Sequence, residues 1–230
     1  MVYNVRYSFI DLGQVRIRTL SKEKAGTFSV YNAKANIASY PKVPFVDLEA
    51  VYETWMDSTT RSHRFIGSSR DGKTWEYAKY EFDYEQQQVV IEKGKRNGQV
   101  ELRDTLKINT PYRDGLSLFF YARDQLFSGV RMNIPTLIKE EKANTYIDFK
   151  NERTNVEIDA VEYPIDVVAF EGTAQFVGIF GLTGDFEGWF SADEARVPIL
   201  AKMKVIIGSV TIELMEWKRP DGWTPPQARN

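Results

Sequence analysis

The chain has 230 residues, and its 30 Lys and Arg against 32 Asp and Glu give a formal net charge of −2. A charge this small does not gather polyanions by itself, so nucleic acid is not an expected partner. The chain contains no cysteine, which excludes disulfides, thiolate zinc sites and thiol catalysis. No apolar run approaches the length that spans a bilayer, so the sequence predicts no membrane-spanning segment.

The composition, with 43% hydrophobic and 13% aromatic residues, is typical of a folded protein rich in pleated sheet. We expect a single domain over residues 1–218 and a loose tail over 219–230, because the tail has three Pro and little to bury. Met1 leads almost directly into a strand pattern. We therefore expect that a signal segment precedes Val2 in the natural protein and that Met1 was added for expression.

Alternating polarity near the start of the chain predicts a β-hairpin. Residues 3–9 place their large apolar side chains on one face of a period-two pattern, and residues 11–13 supply a turn. The same signals predict further strands at 28–39, 45–57, 74–82, 88–93, 145–150, 156–160, 167–178, 185–191, 196–204 and 209–216. Residues 45–57 also fit helical spacing, and we interpret them as a strand. The charged stretch 138–145 leaves strand pairing there open.

The clearest helix lies between Pro111 and Gly129, where apolar residues recur at helical spacing. Asp114 can cap its start, and Gly129 stands where a left-handed C-terminal cap belongs. The apolar face of such a helix must cover something, and a curled sheet would provide that surface. We therefore predict a mainly β fold, an antiparallel meander curled into a barrel-like sheet with one covering α-helix.

His63 is the only histidine, so no second imidazole can share a metal ion with it. A Ser/His/Asp triad with this histidine as base would lack the Gly-x-Ser-x-Gly elbow that often accompanies such sites. The sequence Arg-Ser-His-Arg-Phe at 61–65 indicates a strand, and we assign His63 within it a structural or surface role. The sequence predicts no catalytic residue, no metal site and no cofactor.

One short segment carries four acidic side chains, Asp185, Glu187, Asp193 and Glu194. These carboxylates fit either acid–base chemistry or a hard cation, or else ordinary turn formation. The turn interpretation is favoured, since no dedicated calcium spacing is present. In that interpretation, Arg196 pairs with Asp193 across the turn.

Trp189 and a basic turn each allow two interpretations. Trp189 suits a wall position in the barrel, which is favoured, or a stacking platform for a sugar or lipid chain. Lys93, Lys95 and Arg96 suit contact with an anionic lipid or glycan, although a solvated hairpin tip is the commoner role for such a cluster.

Two blocks of sequence resemble a known family. The first is Asp-Gly-Leu-Ser-Leu-Phe-Phe-Tyr-Ala-Arg at 114–123, followed by Leu-Phe-Ser-Gly at 126–129. The second is Gly-Trp-Phe-Ser-Ala-Asp-Glu-Ala-Arg-Val-Pro at 188–198, followed by Gly-Ser-Val-Thr-Ile-Glu-Leu at 208–214. Both look like blocks of an uncharacterised family of Gram-negative exported proteins, domain of unknown function 3108. The residues that match its pattern are Tyr121, Arg123, Trp189, Ser191, Asp193, Arg196 and Pro198.

The resemblance implies a YmcC-like antiparallel barrel and a periplasmic or envelope-associated location, and it supplies no reaction. We expect a non-catalytic protein that binds a lipid, a glycan or an envelope protein. The six matching residues other than Pro198 are the ligand-binding or structural candidates. The alternatives are a carboxylate-dependent hydrolase of envelope glycans and a protein-interaction scaffold. Arg123 is further expected to reach Asp193 or a carbonyl in the Trp189 hairpin and so lock the helix to the barrel.

Overall fold

The fold is one antiparallel sheet with a helix set against it. A computed structural model describes residues 1–25, 28–43, 47–176, 183–204 and 208–228. The strands are β1 (Val2–Tyr7), β2 (Ile10–Ala25), β3 (Phe28–Ser39), β4 (Glu49–Met56), β5 (Ser62–Asp71), β6 (Thr74–Asp83), β7 (Gln88–Lys95), β8 (Val100–Lys107), β9 (Arg131–Ile138), β10 (Glu141–Val156), β11 (Ile165–Ala174), β12 (Gly184–Ser191), β13 (Pro198–Lys204) and β14 (Ser209–Glu216). Helix α1 spans Gly115–Gln125. Within the described ranges, no helix has the length and apolar character needed to cross a membrane.

Strands that follow one another in the chain are neighbours in the sheet. The order is β8-β7-β6-β5-β4-β3-β2-β1-β14-β13-β12-β11-β10-β9. Antiparallel pairing of β1 with β14 joins the two halves, whereas β8 and β9 form the two edges and leave the sheet unclosed by hydrogen bonds. The predicted fold class, an antiparallel meander curled into a barrel-like sheet with one covering helix, is confirmed.

Alternate connections of an antiparallel sheet lie at opposite ends of its strands. One end, here called the helix end, carries α1 and the connections 57–61, 84–87, 157–164 and 192–197. The other, here called the far end, carries the hairpin tips 8–9, 72–73, 96–99 and 139–140. Because β8 ends and β9 begins at the helix end, α1 lies across that end of the barrel.

Helix α1 contacts both halves of the sheet. Leu116 packs with buried residues of β3 and β4, while Leu126, just past the last helical residue, packs with Phe149 of β10. Asp114 caps the start of the helix, as predicted, by accepting hydrogen bonds from two N–H groups of the first turn. Gly129 is left-handed, with φ 70°, but lies beyond the helical end and not directly at it.

The first hairpin turn differs from its prediction. The sequence predicts a turn at 11–13, whereas the turn lies at Ser8 and Phe9, with Ser8 left-handed at φ 54°. Gly13 instead lies inside β2, where a Cβ would approach the carbonyl oxygen of Ala38 to 2.3 Å. Gly13 therefore allows β2 and β3 to approach each other closely and does not form a turn.

The prediction of a strand at 156–160 is wrong, and β8 and β9 are not predicted. Strand β10 is continuous from 141 to 156, and residues 157–164 are a connection. Strand β8 is exposed along nearly its whole length, so burial imposes no alternation on its sequence. Strand β9 contains Pro135, which an edge strand tolerates. The ends of three predicted segments, at 45–46, 177–178 and 229–230, lie outside the described residues.

The C-terminal segment lies against the helix end. The sequence predicts a loose tail, but Nε1 of Trp223 donates a hydrogen bond to Asp193 at 2.7 Å. Gln227 forms a β-bridge with Ile165, and the hydroxyl of Tyr163 donates to the backbone at residue 225. These contacts hold residues 219–228 against the helix end. Trp223 also packs beside the core and supplies the apolar surface that the rest of the tail lacks. The mobility of the tail stays a prediction, which limited proteolysis would measure.

Gly188 of β12 lies beside the ring of Phe170 in β11. A Cβ at Gly188 would lie 2.2 Å from Cζ of Phe170, whose ring is packed among other aromatic rings. We expect Gly188→Ala to lower the free energy of unfolding by about 1–3 kcal/mol through overpacking. Gly115→Ala is the matched control, since its Cβ would meet only Ile138, at 3.4 Å. Urea denaturation measures both variants, and equal losses would contradict the prediction.

Candidate functional site

The turn between β12 and β13 is built around one carboxylate. Oδ1 of Asp193 accepts a hydrogen bond from the Ser191 hydroxyl at 2.6 Å. It also accepts the N–H groups of Ala195 and Arg196, at 3.1 and 3.2 Å. Oδ2 is occupied by the Trp223 side chain described above. Both oxygens of Asp193 are thus committed, which is the arrangement of a turn-capping aspartate.

Two arginines link this turn to α1, each donating to the backbone beside the other. Nε and Nη2 of Arg123 donate to the carbonyl oxygens of Arg196 and Ala195, at 3.0 and 2.9 Å. Nη1 of Arg196 donates to the carbonyls of Asp124 and Arg123, at 2.7 and 3.3 Å. We call this arrangement the arginine lock. Of the two expected partners for Arg123, the structure has the carbonyl.

The predicted ion pair between Arg196 and Asp193 is replaced by a different contact. Asp193 accepts the backbone N–H of Arg196, while the guanidinium group turns toward the end of α1. The last carbonyls of a helix lack intrahelical partners and attract cationic donors. The side chain of Arg196 therefore donates hydrogen bonds to the last helix carbonyls, and the carboxylate of Asp193 accepts the N–H groups of the turn.

Trp189 and Tyr121 lie apart from the arginine lock. Trp189 is half-buried beside the barrel core, with Nζ of Lys202 5.5 Å from its ring centroid, as suits a wall residue. The Tyr121 hydroxyl donates to the sulfur of Met132 at 2.8 Å, and the guanidinium of Arg113 lies 3.8 Å from its ring centroid. The structure thus brings together four of the six predicted residues and separates these two.

A cleft of about 410 Å³ opens beside the arginine lock. Tyr31, Met56 and Phe120 give it an apolar wall, and Arg123 and Arg196 lie at its edge. The other lining residues are Thr19, Asp57, Ser58, Thr60, Asp124, Glu194 and Ala195. Ligand clefts in proteins typically measure roughly 300–1,000 Å³, so this cleft is large enough for a small ligand.

The arginine lock leaves positive charge uncompensated. In the described part of the chain, neither Arg123 nor Arg196 forms an ion pair, and Nε of Arg196 is buried without a hydrogen-bond partner. Burial lowers the pKa of Arg123, and the neighbouring charges of Arg219 and Arg196 add to this effect. An arginine stays charged even so, because its ordinary pKa is above about 12.

The acidic side chains of the cleft do not cancel this charge. Oδ2 of Asp57 accepts a hydrogen bond from Nε of Arg61 at 2.6 Å and lies 3.2 Å from Nε2 of His63. Asp124 and Glu194 are exposed, where water and salt screen their charges. An anion entering the cleft would therefore meet two half-buried cations that have no ion-pair partner among the described residues.

Protonation of the Asp57 carboxylate should make the folded protein less stable in acid. Burial by itself raises the pKa of Asp57, but hydrogen bonds from His63, Thr59 and Arg61 outweigh burial and hold the pKa below its ordinary value of 3.8. A carboxyl group with a lowered folded-state pKa stabilises the fold above its unfolded pKa, and this contribution is lost as the pH falls through the folded pKa. The stabilisation by Asp57 is therefore fully present at neutral pH.

Replacing Asp57 with Asn is the direct test of this pH dependence. We expect Asp57→Asn to lower the free energy of unfolding by about 1–2 kcal/mol at neutral pH. The same variant should flatten the decline of stability below about pH 4, because Asn does not titrate. Urea denaturation across the acid range measures both effects, with Glu194→Gln, an exposed carboxylate of the same cleft, as control. An unchanged acid slope in Asp57→Asn would count against this assignment.

A second buried carboxylate holds the start of α1. Oδ2 of Asp114 accepts hydrogen bonds from Oγ1 of Thr54 at 2.6 Å and Oγ of Ser62 at 2.7 Å. Its Oδ1 accepts the N–H groups of Leu116 and Ser117 at 2.8 and 2.9 Å. Burial raises the pKa of Asp114, and these hydrogen bonds oppose the rise. The network fixes α1 to β4 and β5 at the end of the helix opposite the arginine lock.

The acidic pair on β12 lies away from the cleft. Asp185 accepts a hydrogen bond from Oγ1 of Thr173 at 2.9 Å and lies 3.4 Å from Nζ of Lys204. Glu187 lies opposite Lys202 in the strand register. Both acids line a wider trough of about 620 Å³ whose negative side chains have basic neighbours. Among the described residues, no group of three potential metal ligands comes together.

Several residues of the site were not predicted from the sequence. Tyr31 and Met56 lie in strands that were predicted, but nothing in their alternation marks a cleft wall. Thr54 and Ser62 did carry a signal, since Thr54 occupies an inward position of the period-two pattern of β4. A polar side chain at such a position needs a buried partner. Trp223 was the large apolar residue in an otherwise polar tail.

Comparisons with known proteins agree with the fold. The crystal structure of a β-barrel-like protein of domain of unknown function DUF1849 from Brucella abortus superposes with a TM-score of 0.60 at 10% identity, covering 92% of this chain and 93% of that one. No curated protein matches the sequence. Residues 2–215 match the family described as protein of unknown function, DUF3108. This chain therefore belongs to the DUF3108 family.

Proposed function

We propose that this protein is a non-catalytic binding protein of the cell envelope, and that the cleft at the helix end holds an anionic amphiphile. One observation carries the proposal. Arg123 and Arg196 stand half-buried at the edge of an apolar cleft without a carboxylate partner. Charge that is partly removed from water and left unpaired favours an anionic ligand group.

The walls of the cleft suit the apolar part of such a ligand. Tyr31, Met56 and Phe120 present two aromatic rings and a flexible thioether, which adapts to chains of varied shape. Burial of an apolar chain against these side chains contributes roughly 25 cal/mol for each Å² removed from water. The anionic group would then accept hydrogen bonds from the free edges of the two guanidinium groups.

Two observations support a binding role over a catalytic one. Both oxygens of Asp193, the carboxylate nearest the arginine lock, are committed to capping the turn and to Trp223. His63 contacts Asp57, and the ring of Tyr84 lies 5.6 Å away in an edge-on arrangement. Neither group has the open geometry that a general acid or base needs near a substrate.

An envelope location is supported by the resemblance to Gram-negative exported proteins. Fractionation of cells that express the natural gene would test it. We expect the protein in the periplasmic or membrane fraction, and recovery with the cytosol would refute this part of the proposal.

Three probes separate the contributions of the apolar chain and the anionic group. Dodecyl phosphate has both, dodecyl maltoside has the chain with a neutral head, and inorganic phosphate has the anion alone. Isothermal titration of the full chain should show the tightest binding for dodecyl phosphate. Native mass spectrometry of freshly purified protein, followed by organic extraction, should show a bound anionic amphiphile. Equal affinity for all three probes, or no binding of any, would refute the proposal.

Arg196→Gln is the sharpest variant, because Gln keeps an N–H donor for the helix carbonyls but removes the charge. We expect dodecyl phosphate to bind roughly tenfold more weakly, since one charge-assisted hydrogen bond is lost. Binding of dodecyl maltoside should be unchanged. Arg18→Gln, on the neighbouring part of β2 outside the cleft, is the control and should bind both probes normally.

The exposed edge strand favours a second candidate, a protein-interaction role. Among the described strands, β8 pairs on one side only, and Val100 and Leu102 are exposed on it. Edge strands of this kind can add an extended segment of a partner protein. If this is the function, a double Val100→Lys and Leu102→Lys variant should lose an envelope partner that the wild type captures, with amphiphile binding unchanged. Capture by both proteins alike would exclude the edge.

A further inference from the structure

The tip of the first hairpin exposes its apolar side chains. Phe9 is 88% exposed, the highest value among the large hydrophobic residues that the structure describes, and its neighbour Ile10 is 40% exposed. Both lie at the far end of the barrel, opposite α1. A two-residue hairpin turn does not require an aromatic ring, and turns of this type favour Asn and Gly instead. An exposed apolar tip of this kind often marks an interaction surface.

Positive side chains occupy other connections of the same end. Lys42, Lys73, Arg96 and Lys139 lie in four separate connections, and all four are exposed. Among the described side chains, none of these four forms an ion pair with a carboxylate. Arg96 lies over the ring of Trp75, 5.0 Å from its centroid, and keeps its charge at the surface.

Several carboxylates near the far end are already paired with other cations. The pairs are Asp11 with Arg6, Asp47 with Arg70, Glu101 with Lys95 and Glu140 with Lys93. Glu76 and Glu141, exposed near the same end, also form no ion pair among the described side chains, so the four tip cations outnumber these two acids. The far end therefore combines exposed apolar side chains with an excess of positive charge. The formal net charge of −2 for the whole chain does not reveal this local excess of positive charge at the far end.

We propose that the far end of the barrel docks on an anionic lipid surface. Phe9 and Ile10 would enter the boundary between headgroups and acyl chains, and the four cations would face the headgroups. Peripheral proteins bind membranes through this combination of apolar insertion and attraction of Lys and Arg to anionic lipids. The inference is independent of what the cleft binds, because the cleft lies at the helix end.

Vesicle sedimentation of the full chain tests the proposal. Binding is expected to vesicles of phosphatidylglycerol and phosphatidylcholine in equal parts, to weaken as salt is added, and to be at least tenfold weaker with phosphatidylcholine alone. Phe9→Ser should weaken binding roughly tenfold, and each of Lys42→Gln and Lys73→Gln roughly fivefold. Leu20→Ser, 50% exposed on the part of β2 toward the helix end, is the matched control and should bind normally. Equal binding to both vesicle types, or equal loss in Phe9→Ser and Leu20→Ser, would overturn the proposal.

A second measurement locates the contact directly. The chain has no cysteine, so Phe9→Cys would give a single thiol for an environment-sensitive fluorophore such as NBD. The emission at position 9 should shift to the blue on adding the anionic vesicles, while the same label in Phe127→Cys, at the helix end, should not respond. A blue shift only at position 127 would place the membrane contact at the helix end and contradict the proposal. Dodecyl phosphate titration of Phe9→Ser should remain normal, which separates failure of this proposal from failure of the cleft assignment.

Discussion

Replacing Asp114 with Ala should lower the free energy of unfolding by about 3–5 kcal/mol. The carboxylate is fully buried and accepts four hydrogen bonds, from Thr54, Ser62 and the first turn of α1. Its removal would leave two hydroxyls and two N–H groups without an acceptor where water does not reach them. Urea denaturation at neutral pH measures the loss. A change below about 1 kcal/mol would mean that the network contributes far less than its geometry indicates.

Asp114→Asn is the matched control, because it keeps the shape and one acceptor oxygen. Burial raises the pKa of Asp114 above its ordinary 3.8, so the folded state holds the proton more tightly than the unfolded state does. The contribution of Asp114 to the free energy of unfolding therefore falls as the pH rises from the unfolded pKa toward the folded one. Asn does not titrate, so Asp114→Asn should cost most in acid and least at neutral pH. Asp57→Asn should show the opposite trend, because the pKa of Asp57 is lowered.

The sequence predicts the fold best where burial is one-sided. Strand β3 is predicted within its observed limits, since one face of it is buried and the polarity alternates. Strand β8 gives no such signal, because almost all of its side chains face water. The connection between β9 and β10 is also obscure from sequence, since Lys139 and Glu140 both adopt left-handed conformations without being Gly or Asn.

The sequence singled out four residues of the arginine lock and its turn, Arg123, Ser191, Asp193 and Arg196, but neither the cleft wall nor the geometry of the contacts. Residue types suggested an ion pair between Arg196 and Asp193, since opposite charges three positions apart in a turn usually attract. In the structure, the carboxylate of Asp193 instead accepts hydrogen bonds from backbone N–H groups, and the guanidinium of Arg196 donates to helix carbonyls. These contacts depend on where α1 ends relative to the turn, which is set by the tertiary structure. The position of the cleft beside Phe120 depends on the same packing, so no pattern in the strands alone could reveal it.

Arg123→Ala should lower the free energy of unfolding by about 2–4 kcal/mol and weaken the attachment of α1 to the barrel. Two hydrogen bonds from a charged donor to the carbonyls of Ala195 and Arg196 would be lost, at 2.9 and 3.0 Å. Removal of a half-buried charge offsets part of this loss. Arg123→Lys should recover only part of the stability, because a single ammonium group does not reproduce the fork that reaches both carbonyls.

A double-mutant cycle with Arg196→Ala distinguishes a lock from two separate contacts. Each side chain donates to backbone beside the other, so loss of either lets the helix end and the turn move apart and weakens the remaining contact. The double variant should therefore lose less stability than the sum of the single variants, by about 0.5 kcal/mol or more. Arg18→Ala, exposed on β2, should change little and controls for the loss of one positive charge. An unchanged melting temperature in Arg123→Ala, or strict additivity in the cycle, would show that the turn and α1 are held together by packing alone.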